Sequence, residues 1–232
     1  MIEILKETGS TSSDLAGRLR GSEHVREGHW LVADRQTAGR GRQGREWLDA
    51  AGNFMGSCVV HPRQGDPAPS SLALLAGLVL HEVIAPRVSQ PHRAILKWPN
   101  DLKDGRAKLA GNLLEREGEA VIVGIGVNVV ESPQLPERET VSLAGLGIAL
   151  SRDDLAAALA RQFDLELERW RGFGLSPIIA RWLLAGHPPG TRITAAGQDG
   201  TFAGLTPDGG LQLHLADGSL RTIHAGEVNL TE

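Results

Sequence analysis

Residues 94–130 hold four strand-like runs, at 94–97, 101–103, 107–116 and 120–130, each separated from the next by three residues. The last three of these runs are expected to form an antiparallel meander, with a hairpin turn at Asp104-Gly105. Upstream, residues 29–34 and 54–60 read as two further strands. Ser10-Thr11-Ser12-Ser13-Asp14 is rich in N-cap residues and opens a short helix ending near Gly21. Residues 69–84 have helical apolar spacing and begin with Pro and Ser. Residues 152–171 and 175–185 read as helices, the first with Leu155, Leu159, Phe163, Leu167 and Trp170 on one face. After Gly186-His187-Pro188-Pro189-Gly190 the texture changes to short strands with turns near 197–200, 207–210 and 217–218, a spacing that fits a small closed barrel. The expectation is a mixed α+β core over residues 1–186 and a small β-barrel over 187–232.

A hydrophobic fraction of 41% and a charged fraction of 22% are those of a globular chain, and the net charge of −4 argues against a general nucleic-acid binder. No apolar run approaches the ~20 residues that span a bilayer, and the start lacks a signal peptide's basic front. The expected setting is therefore the cytoplasm, with no membrane partner. Cys58, the single cysteine, lies in an apolar run and reads as a buried structural thiol. The eight histidines show no metal-ligand spacing.

The segment Gln36-Thr37-Ala38-Gly39-Arg40-Gly41-Arg42-Gln43-Gly44-Arg45-Glu46-Trp47 interleaves three glycines with three arginines between the two upstream strands. Glycines let backbone N–H groups approach a ligand, and guanidinium forks bind phosphate or carboxylate oxygens in pairs. Disordered RNA-binding tails also alternate Gly and Arg, but they repeat, and this segment occurs once between structured elements. It is expected to be an anion clamp, mobile over residues 35–46 until anions offset its self-repulsion.

Of 24 basic residues only four are lysine, and Lys97, Lys103 and Lys108 fall within twelve positions. An ammonium is a compact point charge able to follow an oxygen that moves as a bond forms. Lys103 alone could be a solvated hairpin residue. Lys97-Trp98-Pro99-Asn100-Asp101-Leu102 holds a polar pair on a proline-stiffened turn, with Lys108-Leu109-Ala110-Gly111 across the hairpin. Gly124-Ile125-Gly126-Val127-Asn128 reads either as a bulged core strand or as one whose small residues admit a planar ligand.

In this order, Gly9-Ser10-Thr11-Ser12, the loop 36–47, Lys97 to Leu102, Lys108 to Gly111 and Gly124 to Asn128 resemble the biotin protein ligases over essentially the whole chain. The resemblance implies a core related to class II aminoacyl-tRNA synthetases and a C-terminal Src-homology-3-like barrel. It implies a two-step reaction: biotin and ATP, with Mg²⁺ on the phosphates and no dedicated metal site, give biotinyl-5′-AMP, and a lysine of a biotin carboxyl carrier domain then takes the biotinyl group. By position, Ser10, Thr11, Gln36, Gly39 and Arg40 stand at biotin, with Lys108 at the acyl-phosphate oxygens. Arg42 and Arg45 stand on the phosphate side, Asp101 beside the reacting centre, and Trp47 and Asn128 near adenine. Ser12 stands where many relatives have Asn, Asn112 where an aliphatic residue is expected, and Met55 where some have an aromatic. The first motif begins at Gly9, so a single-function ligase without a DNA reader is expected; a homodimer is left open. The alternatives are a lipoate or octanoate transferase and a non-enzymatic binding module using the barrel.

Overall fold

The structure, a computed structural model, describes residues 1–136 and 138–231. Its elements are β1 (Ile2–Leu5), α1 (Thr11–Arg20), β2 (Trp30–Ala33), β3 (Phe54–Val60), α2 (Leu72–Ile84), β4 (Ile95–Lys97), β5 (Asp101–Asp104), β6 (Ala107–Glu117), β7 (Ala120–Val127), α3 (Arg152–Phe173) and α4 (Ser176–Ala185). The strands form one sheet in the order β1-β2-β3-β7-β6-β5-β4, parallel only between β1 and β2. The expected three-strand meander is β5 to β7, and β4 extends it by pairing antiparallel with β5. β7 stops at Val127 rather than 130, because Asn53 Oδ1 accepts the N–H groups of Val129, Val130 and Glu131 and turns that segment away from the ladder.

Strand alternation assigns the two faces. On β3, Phe54, Cys58 and Val60 enter the main core under α2 and α3, while Val59 joins a smaller cluster with Leu15 and Ala16 of α1. On β7, Val121, Val123, Ile125 and Val127 enter the main core, which leaves Gly124 and Gly126 on the α1 side. One face is thus a helix-covered core, and the other carries α1 and an open cleft beside it.

The sequence shows no apolar run near membrane-spanning size, yet among the described residues Pro69–Arg87 forms one helical stretch long and apolar enough by those two measures. A 3₁₀ turn at each end extends α2 to this length. It is the central helix, with Leu72, Leu75, Leu80 and Ile84 fully buried.

Helix α3 packs with its predicted face inward, and Trp170 Nε1 donates to Ser71 Oγ at 2.8 Å. Glu166 on α3 is fully buried, yet its carboxylate accepts from Arg169 (2.6 Å) and from both Nη atoms of Arg181 on α4. Burial pushes its pKa up, but the Arg181 and Arg169 contacts outweigh this and hold it below the ordinary 4.5. A depressed carboxylate contributes stability that is complete above its unfolded pKa and lost as pH falls through the folded one. Acid unfolding of the parent should therefore steepen below about pH 4.5. Glu166→Gln should cost on the order of 2 kcal/mol at neutral pH and flatten that acid limb, as read by urea unfolding from pH 3 to 7; parallel curves would refute the assignment.

Beyond Gly186 follow β8 (Arg192–Ala195), β9 (Gln198–Leu205), β10 (Leu211–His214), β11 (Leu220–Ile223) and β12 (Val228–Leu230), all antiparallel in the order β11-β10-β9-β8-β12. The bulge between Gln212 and Leu213 lies opposite Gly204, whose φ of 128° bends this sheet. Its inward residues Ile193, Phe202, Leu213 and Val228 join the main core. Trp98 Nε1 donates to Gly209 O at 3.0 Å, so the turn before β5 leans on the second sheet.

Candidate active site

The cleft beside α1 collects the sequence motifs. Its closed end is a hydroxyl chain. Gln36 Oε1 accepts from Thr11 N (2.8 Å) and Thr11 Oγ1 (3.1 Å), so the Thr11 hydroxyl proton is committed there. The Thr11 oxygen, 2.7 Å from Ser57 Oγ, then accepts from Ser57, which at 2.9 Å accepts from Ser12. All four residues are buried, and so is Ser10, the residue preceding α1. Ser57 escaped the sequence reading; the available signal was its place two residues from Met55 on the same face of β3, the polar member of an apolar run. Gly124 is needed here because a Cβ would lie 2.8 Å from Ser12 Oγ.

The glycine–arginine segment is a small hairpin: Gly41 N donates to Arg45 O at 2.7 Å and Trp47 N to Gly39 O at 3.0 Å, around a left-handed turn at Gln43 and Gly44. Gly39 does not line the cleft. Its lack of a side chain serves the hairpin, because a Cβ would sit 2.5 Å from Trp47 O. The arginines expected to repel one another each have a protein partner. Arg35 pairs with Asp49, Arg40 with Glu115 (2.9 Å) and Arg45 with Glu227 (2.7 Å). Arg42 donates to Asn100 Oδ1 at 2.9 Å and to Gly226 O at 3.2 Å, and burial lowers its pKa. Gly226 and Glu227, which hold this loop from the second sheet, were invisible to motif reading because about 180 residues separate them from it.

Trp47 lies across β7: a Cβ on Gly126 would come within 2.4 Å of its Cε2. The planar group that these glycines admit in this structure is the chain's own indole. Lys108 Nζ stands 5.7 Å from the centre of that ring. The space left in the cleft is about 90 Å³, below the ~300–1,000 Å³ of pockets that bury a drug-sized ligand, so the indole and hairpin must shift for such a ligand to enter.

Opposite the hairpin, the turn carrying the Trp98-Pro99 cis bond leads into Asp101, and Lys108 Nζ pairs with Asp101 Oδ1 at 2.6 Å. The β5–β6 ladder slips between Leu102 and Lys103, which sets Gly111 rather than a larger side chain beside this pair. A Cβ on Gly111 would lie 2.9 Å from Lys108 Nζ and 3.2 Å from Asp101 Oδ1. Gly111→Ala is therefore expected to displace the lysine while leaving the fold intact, slowing the chemical step by about tenfold, equivalent to ~1.4 kcal/mol; an unchanged rate at unchanged stability would refute this reading.

Asn128 does not reach the cleft. Its amide donates to Lys108 O (3.3 Å) and Val141 O (3.2 Å), and Lys108 N donates to Glu139 O (2.8 Å), so this residue, expected near adenine, clamps the backbone beneath Lys108. Asn112, polar where an aliphatic residue was expected, donates to Ala73 O at 3.1 Å and ties β6 to α2. Met55, where some relatives have an aromatic, is buried and lines the cleft. Among the described residues no three His, Cys, Asp or Glu side chains gather as an ion cage.

A hydroxyl and amide pocket, a cationic hairpin and a lysine–aspartate pair thus share one cleft. Residues 8–129 match the biotin/lipoate A/B protein ligase family and residues 198–230 the biotin protein ligase C-terminal domain. The chain is 35% identical over 97% of its length to the biotin–[acetyl-CoA-carboxylase] ligase of Paracoccus denitrificans, covering 98% of that protein. It is 33% identical over 78% of its length to the bifunctional ligase/repressor BirA of Escherichia coli, covering 58% of it. The structure of the Aquifex aeolicus biotin protein ligase in complex with biotin and ATP superposes with a TM-score of 0.86 over 99% of both chains, at 26% identity. The chain belongs to the biotin/lipoate A/B protein ligase family, within its biotin protein ligases.

Proposed function

We propose that this cleft joins biotin to ATP as biotinyl-5′-AMP and passes the biotinyl group to a lysine of a carboxyl carrier domain. The observation that carries this reading is that one cleft offers neutral hydrogen-bonding groups at its closed end and cations at its open end. A ureido ring needs donors and acceptors without charge, which Ser10, Thr11, Ser12, Gln36 and Ser57 supply. A carboxylate meeting a phosphate needs cations: two unit charges 4 Å apart repel by ~4 kcal/mol at an effective dielectric near 20. Arg40, Arg42, Arg45 and Lys108 offset that repulsion, with Mg²⁺ arriving on the ATP phosphates.

The partners now on these cations define what changes on binding. Phosphate oxygens exchange with Glu227 at Arg45, and acyl-phosphate oxygens exchange with Asp101 at Lys108. The release of Asp101 leaves a carboxylate beside the reacting carbon, where it orients the incoming amine and takes its proton. Trp47, lifted from Gly126, covers the adenylate at its nucleotide end.

Residues 1–186 carry this chemistry and residues 187–232 hold the hairpin through Gly226 and Glu227. The setting is the cytoplasm, where carrier domains are modified. Exchange of labelled pyrophosphate into ATP tests the reading: biotin should support it and lipoate should not. Exchange with lipoate alone would transfer the chain to lipoate chemistry, and exchange with neither would leave a binding module.

A further inference from the structure

The chain holds only four lysines, and three of them, Lys97, Lys103 and Lys108, line one groove together with Asp101. This second groove, of about 1030 Å³, opens from the Lys108–Asp101 pair between the β5–β6 hairpin, residues 133–140 and strand β12. Lys108 serves the first half-reaction, and no step of the ligase chemistry uses Lys103. Lys103 is half-buried, and among the described residues no carboxylate lies within ion-pair distance of it. Burial, and then the neighbouring Lys97 ammonium, push its pKa down to about 8; Asp101 and Glu139 oppose this, and Lys108 adds to it. His187, beyond α4, is itself held below 6.5 by burial, Lys103 and Lys97, so it brings no charge at neutral pH. Burial lowers the pKa of Lys97 as well, but there Asp101 and Glu227 favour the ammonium. Lys103 is thus the lysine of the groove closest to carrying a free amine.

It also stands within reach of the reacting centre. Lys103 follows Asp101 by two residues on β5, about 7 Å along a strand, and its Cα pairs with that of Lys108 on β6. A flexible four-carbon stem covers that distance. We propose that Lys103 is a site of self-acylation: with no carrier present, its amine takes the biotinyl group from the biotinyl-5′-AMP held in the same molecule. The inference rests on the ligase reading above. The nitrogen lone pair attacks the biotinyl carbonyl carbon, the bond from that carbon to the phosphate oxygen breaks, and AMP leaves with the electron pair. The proton shed as the amide forms passes to Asp101. Only free amine attacks, so the rate follows its fraction. With a pKa of about 8 that fraction rises about fivefold from pH 7 to 8 and roughly twofold from pH 8 to 9, whereas an ordinary lysine gains about tenfold at each step.

The full chain, incubated with biotin and ATP but no carrier and then mapped by peptide mass spectrometry, tests it. One biotinyl group should appear on Lys103, at least about tenfold above the label on exposed Lys6, because the reaction is intramolecular. Its rate should not depend on protein concentration and should level off above pH 8. Lys103→Arg should lose this label while biotin-dependent pyrophosphate exchange stays within about twofold of the parent. Exchange in the parent without label on Lys103 would overturn the proposal. Equal label on Lys6, Lys97 and Lys103, or a rate that climbs with protein concentration, would also overturn it, by showing that escaped adenylate does the labelling. Absence of biotin-dependent exchange in the parent would instead remove the ligase reading, and the modification site with it.

Discussion

Lys108→Ala should slow biotinyl-adenylate formation by about 100- to 1000-fold, the range for loss of one preorganised donor to a developing oxyanion, while biotin affinity changes far less. The ammonium now sits 2.6 Å from Asp101 and is poised to move onto oxygens whose charge grows only as the acyl–phosphate bond forms. An interaction stronger in the transition state than in the ground state appears in the rate and not in binding. Single-turnover adenylate formation and biotin titration separate the two. Lys108→Arg should rescue poorly, because Gly111 leaves room for a point charge and not for a planar fork. Removing the lysine also leaves Asp101 as an uncompensated carboxylate facing the phosphates. The Asp101→Asn/Lys108→Ala double variant should therefore form adenylate faster than Lys108→Ala alone, a non-additivity expected of residues in contact. Near-normal adenylate formation by Lys108→Ala would overturn its role.

The parts of this site that were legible in the sequence are those whose chemistry is local. Thr11 and Gln36, the arginines of the hairpin, and the Lys108–Asp101 pair each sit in a short motif whose residue types already imply a ligand. The meander could be read because the Asp104-Gly105 turn separates β-rich runs in a short stretch of chain. What could not be read depends on chain segments far apart in sequence. The closure of the hairpin by Gly226 and Glu227 is one such case. The indole of Trp47 resting on Gly126 is another, since a glycine shows that something approaches closely without showing what. Asn128 has a second role that the motif does not show: its amide satisfies the buried backbone carbonyls of Lys108 and Val141. The smallness of Gly39 likewise has a local cause in the turn of the hairpin against Trp47.

Arg42→Gly should turn the protein into a source of free biotinyl-adenylate. Arg42 links three parts of the molecule: it emerges from the hairpin, reaches Asn100 on the turn before β5, and reaches Gly226 O of the second sheet. Hydrogen bonds to a charged donor contribute ~1.5–3 kcal/mol each. Losing both therefore favours the open hairpin by roughly 3–6 kcal/mol if they add, enough to speed escape of the intermediate by 100-fold or more. The first step should continue, since Lys108, Arg40 and Arg45 remain. A closed hairpin both holds the mixed anhydride and excludes water from it, so an open one should release a reactive acyl donor. With biotin, ATP and an unrelated lysine-rich protein, the variant should label that protein in proportion to its exposed amines, while the parent leaves it unlabelled. Asn100→Ala removes one of the two contacts and should give an intermediate level of stray labelling. Continued adenylate synthesis by Arg42→Gly with no stray labelling would show that something other than this arginine keeps the cleft closed.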